Sequence, residues 1–120
     1  MYYSFFAAYG HSITVPDSRV PLIIWLQGGP GGSSQFGAFT ELGPIRINKE
    51  KASILPQAWN IMGHTIFIDQ PLTVGFSYVR NQSIPLVSSA EQAADHLINF
   101  LFNLYHQWPA LKTSPLYITG

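Results

Sequence analysis

One stretch of this chain restricts its fold more than any other. Leu22-Ile23-Ile24-Trp25-Leu26 is an unbroken apolar run, and Gln27-Gly28-Gly29-Pro30-Gly31-Gly32-Ser33-Ser34 follows it directly. A short apolar run without alternation is the pattern of a central strand covered on both faces. Four glycines and a proline in five residues neither extend a strand nor start a helix, so the chain must bend there. A strand that enters such a bend and leaves it as a helix can aim unshielded backbone N–H groups at an anion or a developing oxyanion.

Three readings of the bend compete. A phosphate-binding loop needs a Lys-Ser/Thr after its last glycine, or Gly-x-Gly-x-x-Gly in a βαβ unit. No lysine is present here, and Pro30 interrupts the row of donors. A purely structural turn stays open on local residues alone. An oxyanion-hole loop, analogous to the His-Gly-Gly-Gly turn of lipases, fits best.

The rest of the chain supplies a layered α/β frame. Tyr2 to Ala8 is aromatic and β-prone. It lacks a basic flank, so it reads as a strand and not as a signal peptide. A short helix is predicted from Ser33 or Ser34 to about Leu42, with Gly43 as its C′ residue and Pro44 preventing continuation. Residues 44–63 read as irregular surface structure. Thr65-Ile66-Phe67-Ile68 is a second buried strand, ended by Asp69-Gln70-Pro71, and 72–87 a loop. Ser88 with Glu91 forms a capping box. Apolar residues then recur at helical spacing from Ala90 through Leu97, Ile98, Leu101, Leu104 and Tyr105 to Trp108, and Pro109 stops the helix. Leu116 to Thr119 is a third buried strand. Strands alternating with helices predict a mostly parallel central sheet with flanking helices, and sites beyond the carboxyl ends of its strands. The glycine bend, the Asp69 turn and the stretch after Thr119 should therefore share one rim.

Composition narrows the partners. The chain of 120 residues has a net charge of zero, 10% charged and 47% apolar residues. No basic patch points to nucleic acid, and no polybasic run to a membrane surface. No run approaches the roughly 18 apolar residues of a membrane span. Cysteine is absent, so no disulfide framework or thiolate metal site is available. The histidines and carboxylates have no metal-ligand spacing, and nothing calls for a cofactor. Asn81-Gln82-Ser83 is an N-glycosylation sequon in a predicted loop.

The closing Tyr117-Ile118-Thr119-Gly120 reads as a strand entering a glycine, the approach to a nucleophile elbow, Gly-x-Ser-x-Gly. The expectation is a chain cut just before its nucleophile and inactive as a peptidase by itself. In this fold the triad order is Ser, Asp/Glu, His, so Asp69, His11, His64, His96 and His106 all come too early. Asp69 is expected to satisfy turn amides. Ser33 and Ser34 are expected to cap the short helix. Ser77 lacks the second glycine of an elbow.

Trp25-Leu26-Gln27-Gly28-Gly29-Pro30-Gly31-Gly32-Ser33-Ser34, then Glu41-Leu42-Gly43-Pro44, Trp59-Asn60 and Asp69-Gln70-Pro71-Leu72-Thr73-Val74-Gly75-Phe76-Ser77-Tyr78, resemble the serine carboxypeptidase family of α/β-hydrolases. The resemblance extends over nearly the whole chain. Gln27 and Gly32, where the family commonly carries Asn and Cys, are similar to its vitellogenic-like and retinoid-inducible branch. The resemblance implies that residues 1–120 are the N-terminal part of one α/β-hydrolase domain. It implies that the Gly29 N–H is one oxyanion donor, with the second donor following the serine. Gln27 and Gly28 would bind the substrate's C-terminal carboxylate, and Glu41 would join that network. A carboxylate beside Glu41 would share its proton and favour acidic pH. The implied partner is a peptide or protein C-terminus. The implied location of the parent protein is lysosomal, vacuolar or secreted. A non-catalytic binder of peptide C-termini and an esterase on the same fold are the alternatives.

Overall fold

The computed structural model describes residues 1–49, 51–81, 83 and 85–120. Four strands form the main sheet in the order β1-β5-β2-β6: β1 Tyr3–Phe6, β5 His64–Ile68, β2 Leu22–Trp25 and β6 Leu116–Thr119. β2 runs parallel to both neighbours, pairing Trp25 with Phe67 on one side and with Thr119 on the other. β1 closes the far edge antiparallel to β5, Tyr3 opposite Ile68.

Side chains alternate across this sheet, so its two faces carry different partners. Leu22, Ile24, Ile66 and Ile68 face α2 (Ala90–Gln107) and join its Leu104, together with Leu111. On the opposite face Phe67 and Phe6 stack edge-on, and Phe6 meets Phe39 of α1 (Ser34–Thr40). Phe67, Leu22, Ile24, Ile66 and Ile68 are fully buried, and each contributes about 1.5–3 kcal/mol of transfer free energy.

Four expectations need correction. Residues 44–63 are not irregular: β3 (Ile45–Asn48) and β4 (Lys51–Ile54) form an antiparallel hairpin, and Trp59–Ile61 is one 3₁₀ turn. Ile45 and Ile47 alternate with Arg46 and Asn48, the period of a strand. The turn lacks glycine and places Lys49 at φ 53°, so no turn signature marked it.

Gly43 does not terminate α1 in a left-handed conformation. The helix ends at Thr40, Glu41 is its C-cap, and the Glu41 and Leu42 N–H groups both donate to the Gly37 carbonyl. Gly43 is instead a point of close approach, where a Cβ would overlap the Ala38 carbonyl oxygen.

The capping box of α2 is displaced by one residue. Ser89 is the N-cap and accepts the Gln92 N–H at 3.2 Å, while the Gln92 side chain reaches back to the Ser88 N–H at 2.9 Å. Gln92 does what Glu91 was expected to do.

Finally, β6 pairs as predicted but is not buried. As an edge strand with one neighbour it leaves Leu116, Tyr117 and Ile118 between 39% and 57% exposed. Ile98 and Phe102 on α2 are exposed as well.

Candidate active site

The parallel trio β5-β2-β6 brings three chain segments to one rim. The Leu26 N–H donates to the Thr119 carbonyl at 2.9 Å, and a Cβ on Gly120 would lie 2.5 Å from the Leu26 carbonyl oxygen. Gly120 therefore lies against Leu26, the residue that leads into the glycine bend, and Asp69 follows β5 on the same side.

Within the bend, Gly29 has φ 136° and Gly31 φ 92°, conformations that side-chain-bearing residues rarely adopt. The Gly32 N–H closes the turn on the Gly28 carbonyl at 3.1 Å. Among the described residues the Gly29 N–H has no acceptor, and Gly28 and Gly29 are exposed. A cavity of about 720 Å³ opens beside them. Gln27 to Gly31 form one wall, Gln70 and Pro71 a second, and Val87 to Ala90 with Ala93, Ala94 and Leu97 a third.

Gln27 lines this cavity, and its side chain is held with a fixed orientation beside Gly37 of α1. Its Oε1 accepts from the Trp25 indole N–H at 2.8 Å. An indole N–H only donates, so the amide oxygen must face it and the NH₂ is left for another partner. Gly37 makes room for the pair: a Cβ there would lie 2.7 Å from the indole nitrogen and 2.8 Å from the amide oxygen. Trp59 braces the other side of Trp25, ring centroids 5.4 Å apart. Glu41 ends α1 one turn beyond Gly37, is exposed, and does not line the cavity.

Asp69 is fully buried and holds the rim together. One oxygen accepts from the Ser33 hydroxyl at 2.7 Å and from Gln35 Nε2 at 3.4 Å. The other accepts the Phe76 N–H at 2.9 Å. The expected turn-amide role therefore holds and extends to the glycine loop. Ser33 caps α1 through the Gln35 N–H. Ser34 does not cap. It accepts the Gln27 N–H at 3.0 Å and donates to the Ile68 carbonyl at 2.5 Å, tying the ends of β2 and β5. Ser77 is buried and donates to the Asp69 carbonyl.

The histidines lie elsewhere. His64 is buried at the start of β5, its Nδ1 accepting the Ala8 N–H at 3.0 Å. Burial, with a smaller contribution from His11, lowers its pKa from the ordinary value. His96 lines a separate cavity of about 360 Å³ between α2 and β1. His11 and His106 are exposed. Sequence reasoning missed Trp25, Gly37 and Gln70. The indole two residues before an amide in a strand was the available signal for the first.

Comparison with known proteins agrees with this geometry. The profile of the serine carboxypeptidase family matches residues 1–120. Serine carboxypeptidase-like 50 of Arabidopsis thaliana is 38% identical over 122 residues, covering 100% of this chain and 27% of the relative. The pheromone-processing carboxypeptidase KEX1 of Candida glabrata is 40% identical over 118 residues, covering 97% of this chain and 16% of the relative. The crystal structure of a prohormone-processing carboxypeptidase from Saccharomyces cerevisiae superposes with TM-score 0.75 at 36% identity, over 83% of this chain and 22% of that one. The chain thus spans about a quarter or less of these proteins, and its mixed sheet with flanking helices is part of an α/β-hydrolase fold. The chain belongs to the serine carboxypeptidase family.

Proposed function

We propose that these residues form the N-terminal part of one α/β-hydrolase domain in a serine-type carboxypeptidase, which releases C-terminal residues from peptides through an acyl-enzyme. The observation that carries the reading is the contact of Gly120 with Leu26, which sets the approach to an elbow against a glycine bend with an unused N–H at Gly29. The Gly29 N–H takes the oxyanion of the tetrahedral intermediate. The NH₂ of Gln27, left free by its bond to Trp25, and the N–H of Gly28 hold the substrate's terminal carboxylate. None of the serines present stands in a Gly-x-Ser-x-Gly elbow, so residues 1–120 do not hydrolyse peptides by themselves. The working location is lysosomal, vacuolar or secreted.

The test uses a full-length protein containing these residues, a blocked dipeptide, and the same dipeptide as its C-terminal amide. Release from the free acid at acidic pH, slow turnover of the amide, and a raised KM for the acid in Gln27→Leu are expected. Equal turnover of acid and amide would shift the reading to a general esterase or amidase. Tight binding of the acid without turnover would make the site a peptide C-terminus binder.

A further inference from the structure

Asp69 is fully buried, and its two carboxylate oxygens hold two different segments of the rim. Oδ1 takes the hydroxyl of Ser33, the residue through which the glycine bend enters α1. Oδ2 takes the Phe76 N–H. Phe76 belongs to a compact turn, closed by Val74 N–H on the Pro71 carbonyl at 3.2 Å and Ser77 N–H on the Val74 carbonyl at 2.9 Å. That turn packs back on the bend: a Cβ on Gly31 would lie 3.8 Å from Val74 Cγ2. Gly75, at φ 54°, makes room for the carboxylate, since a Cβ there would overlap Asp69 Oδ2 and lie 2.7 Å from Ser33 Oγ. All side-chain partners of Asp69 are donors, so an amide in its place would turn an NH₂ toward a group that donates.

We infer that Asp69 and Gly75 are positioning residues for the oxyanion: through Ser33 on one side and Val74 on the other, they set where the Gly29 N–H points. Neither lines the cavity, so neither meets the substrate. A bend of four glycines has no side chains of its own to fix its shape, and the surrounding contacts must do so. A donor aimed at an oxyanion acts in the transition state and not on the bound substrate, so displacing it lowers kcat and spares KM. The grip on the substrate carboxylate is anchored separately, because Trp25 and Ser34 hold Gln27. This assignment rests on the peptidase reading above, and its test separates the two.

The test compares a full-length protein containing these residues with its Asp69→Asn and Gly75→Ala variants, on the blocked dipeptide acid. Gly75→Ala disturbs the carboxylate from the opposite side and removes no polar group. Competent sites are counted by end-point phosphonylation, and kcat is expressed per site. Both variants should lose about 10–100-fold in kcat with KM held. A peptide aldehyde, whose hemiacetal oxygen mimics the oxyanion, should bind more weakly by the same factor, and the preference for acid over amide should persist. A role in folding alone would reduce the count of sites and leave kcat per site unchanged, which overturns the assignment. A raised KM with kcat held overturns it as well. Val74→Ala trims only the contact at Gly31 and should lose a few-fold in kcat; where the other two variants do not fold, an unchanged kcat here overturns the assignment. An inactive wild type overturns the peptidase reading and this assignment together, whereas an active wild type with unchanged variants overturns this assignment alone.

Discussion

β5 and β6 flank the same strand in the same direction, and both are short apolar runs, yet one is the most buried element of the molecule and the other is open. Every residue of His64–Ile68 is buried, whereas Leu116, Tyr117 and Ile118 are exposed. The difference is one of neighbours. β5 lies between β1 and β2 with packing on both faces, while β6 has β2 alone. Composition names a strand. The number of its partners decides how much that strand contributes.

The sharpest way to break this comparison is to truncate an aromatic residue on each strand. Phe67→Ala removes a fully buried ring and should cost about 3–5 kcal/mol, read from urea unfolding midpoints. Tyr117→Ala, 57% exposed, should cost less than about 1 kcal/mol. Equal losses would mean that β6 is as covered as β5.

The carboxyl end of β5 sharpens the contrast. Asp69→Ala strips the acceptor from the Ser33 hydroxyl and the Phe76 N–H together. A loss of about 2–3 kcal/mol is expected. Ser33→Ala should recover only part of that loss, since it removes one donor of the set.

The amino end of β5 gives a smaller, pH-dependent effect. The folded-state pKa of His64 is depressed by burial. The unfolded chain therefore takes up a proton near the ordinary histidine value while the folded chain does not. The contribution is fully present above pH ~6.5 and is lost as pH falls below it. The melting temperature of wild type should fall more between pH 7.5 and 5 than that of His64→Asn, and parallel curves would refute this.

The two buried strands and the long helix were legible in the sequence because periodicity and apolar runs report burial directly. The glycine bend was legible because four glycines and a proline in five residues fit neither a strand nor a helix. The hairpin at 45–54 was not, because its turn carries no glycine and its isoleucines stay on the surface. The exposure of β6 was not either, since an edge strand and a central strand are spelled alike. At the site, the sequence placed Gln27, Gly28 and Gly29 on the cavity, while Glu41 stands away from it. The link from Asp69 to Ser33 spans 36 residues and depends on the register of β2 with β5, which no local pattern encodes.

Gly37 has no functional group and sits within a helix, where glycine is less favourable than alanine by about 1 kcal/mol. A methyl at that position would wedge the indole from the amide, and the freed amide could turn either way. In the proposed carboxylate site, selectivity for an acceptor-bearing ligand over a donor-bearing one would thus be written partly in a vacancy on a neighbouring helix, and Gly37→Ala would blur that choice.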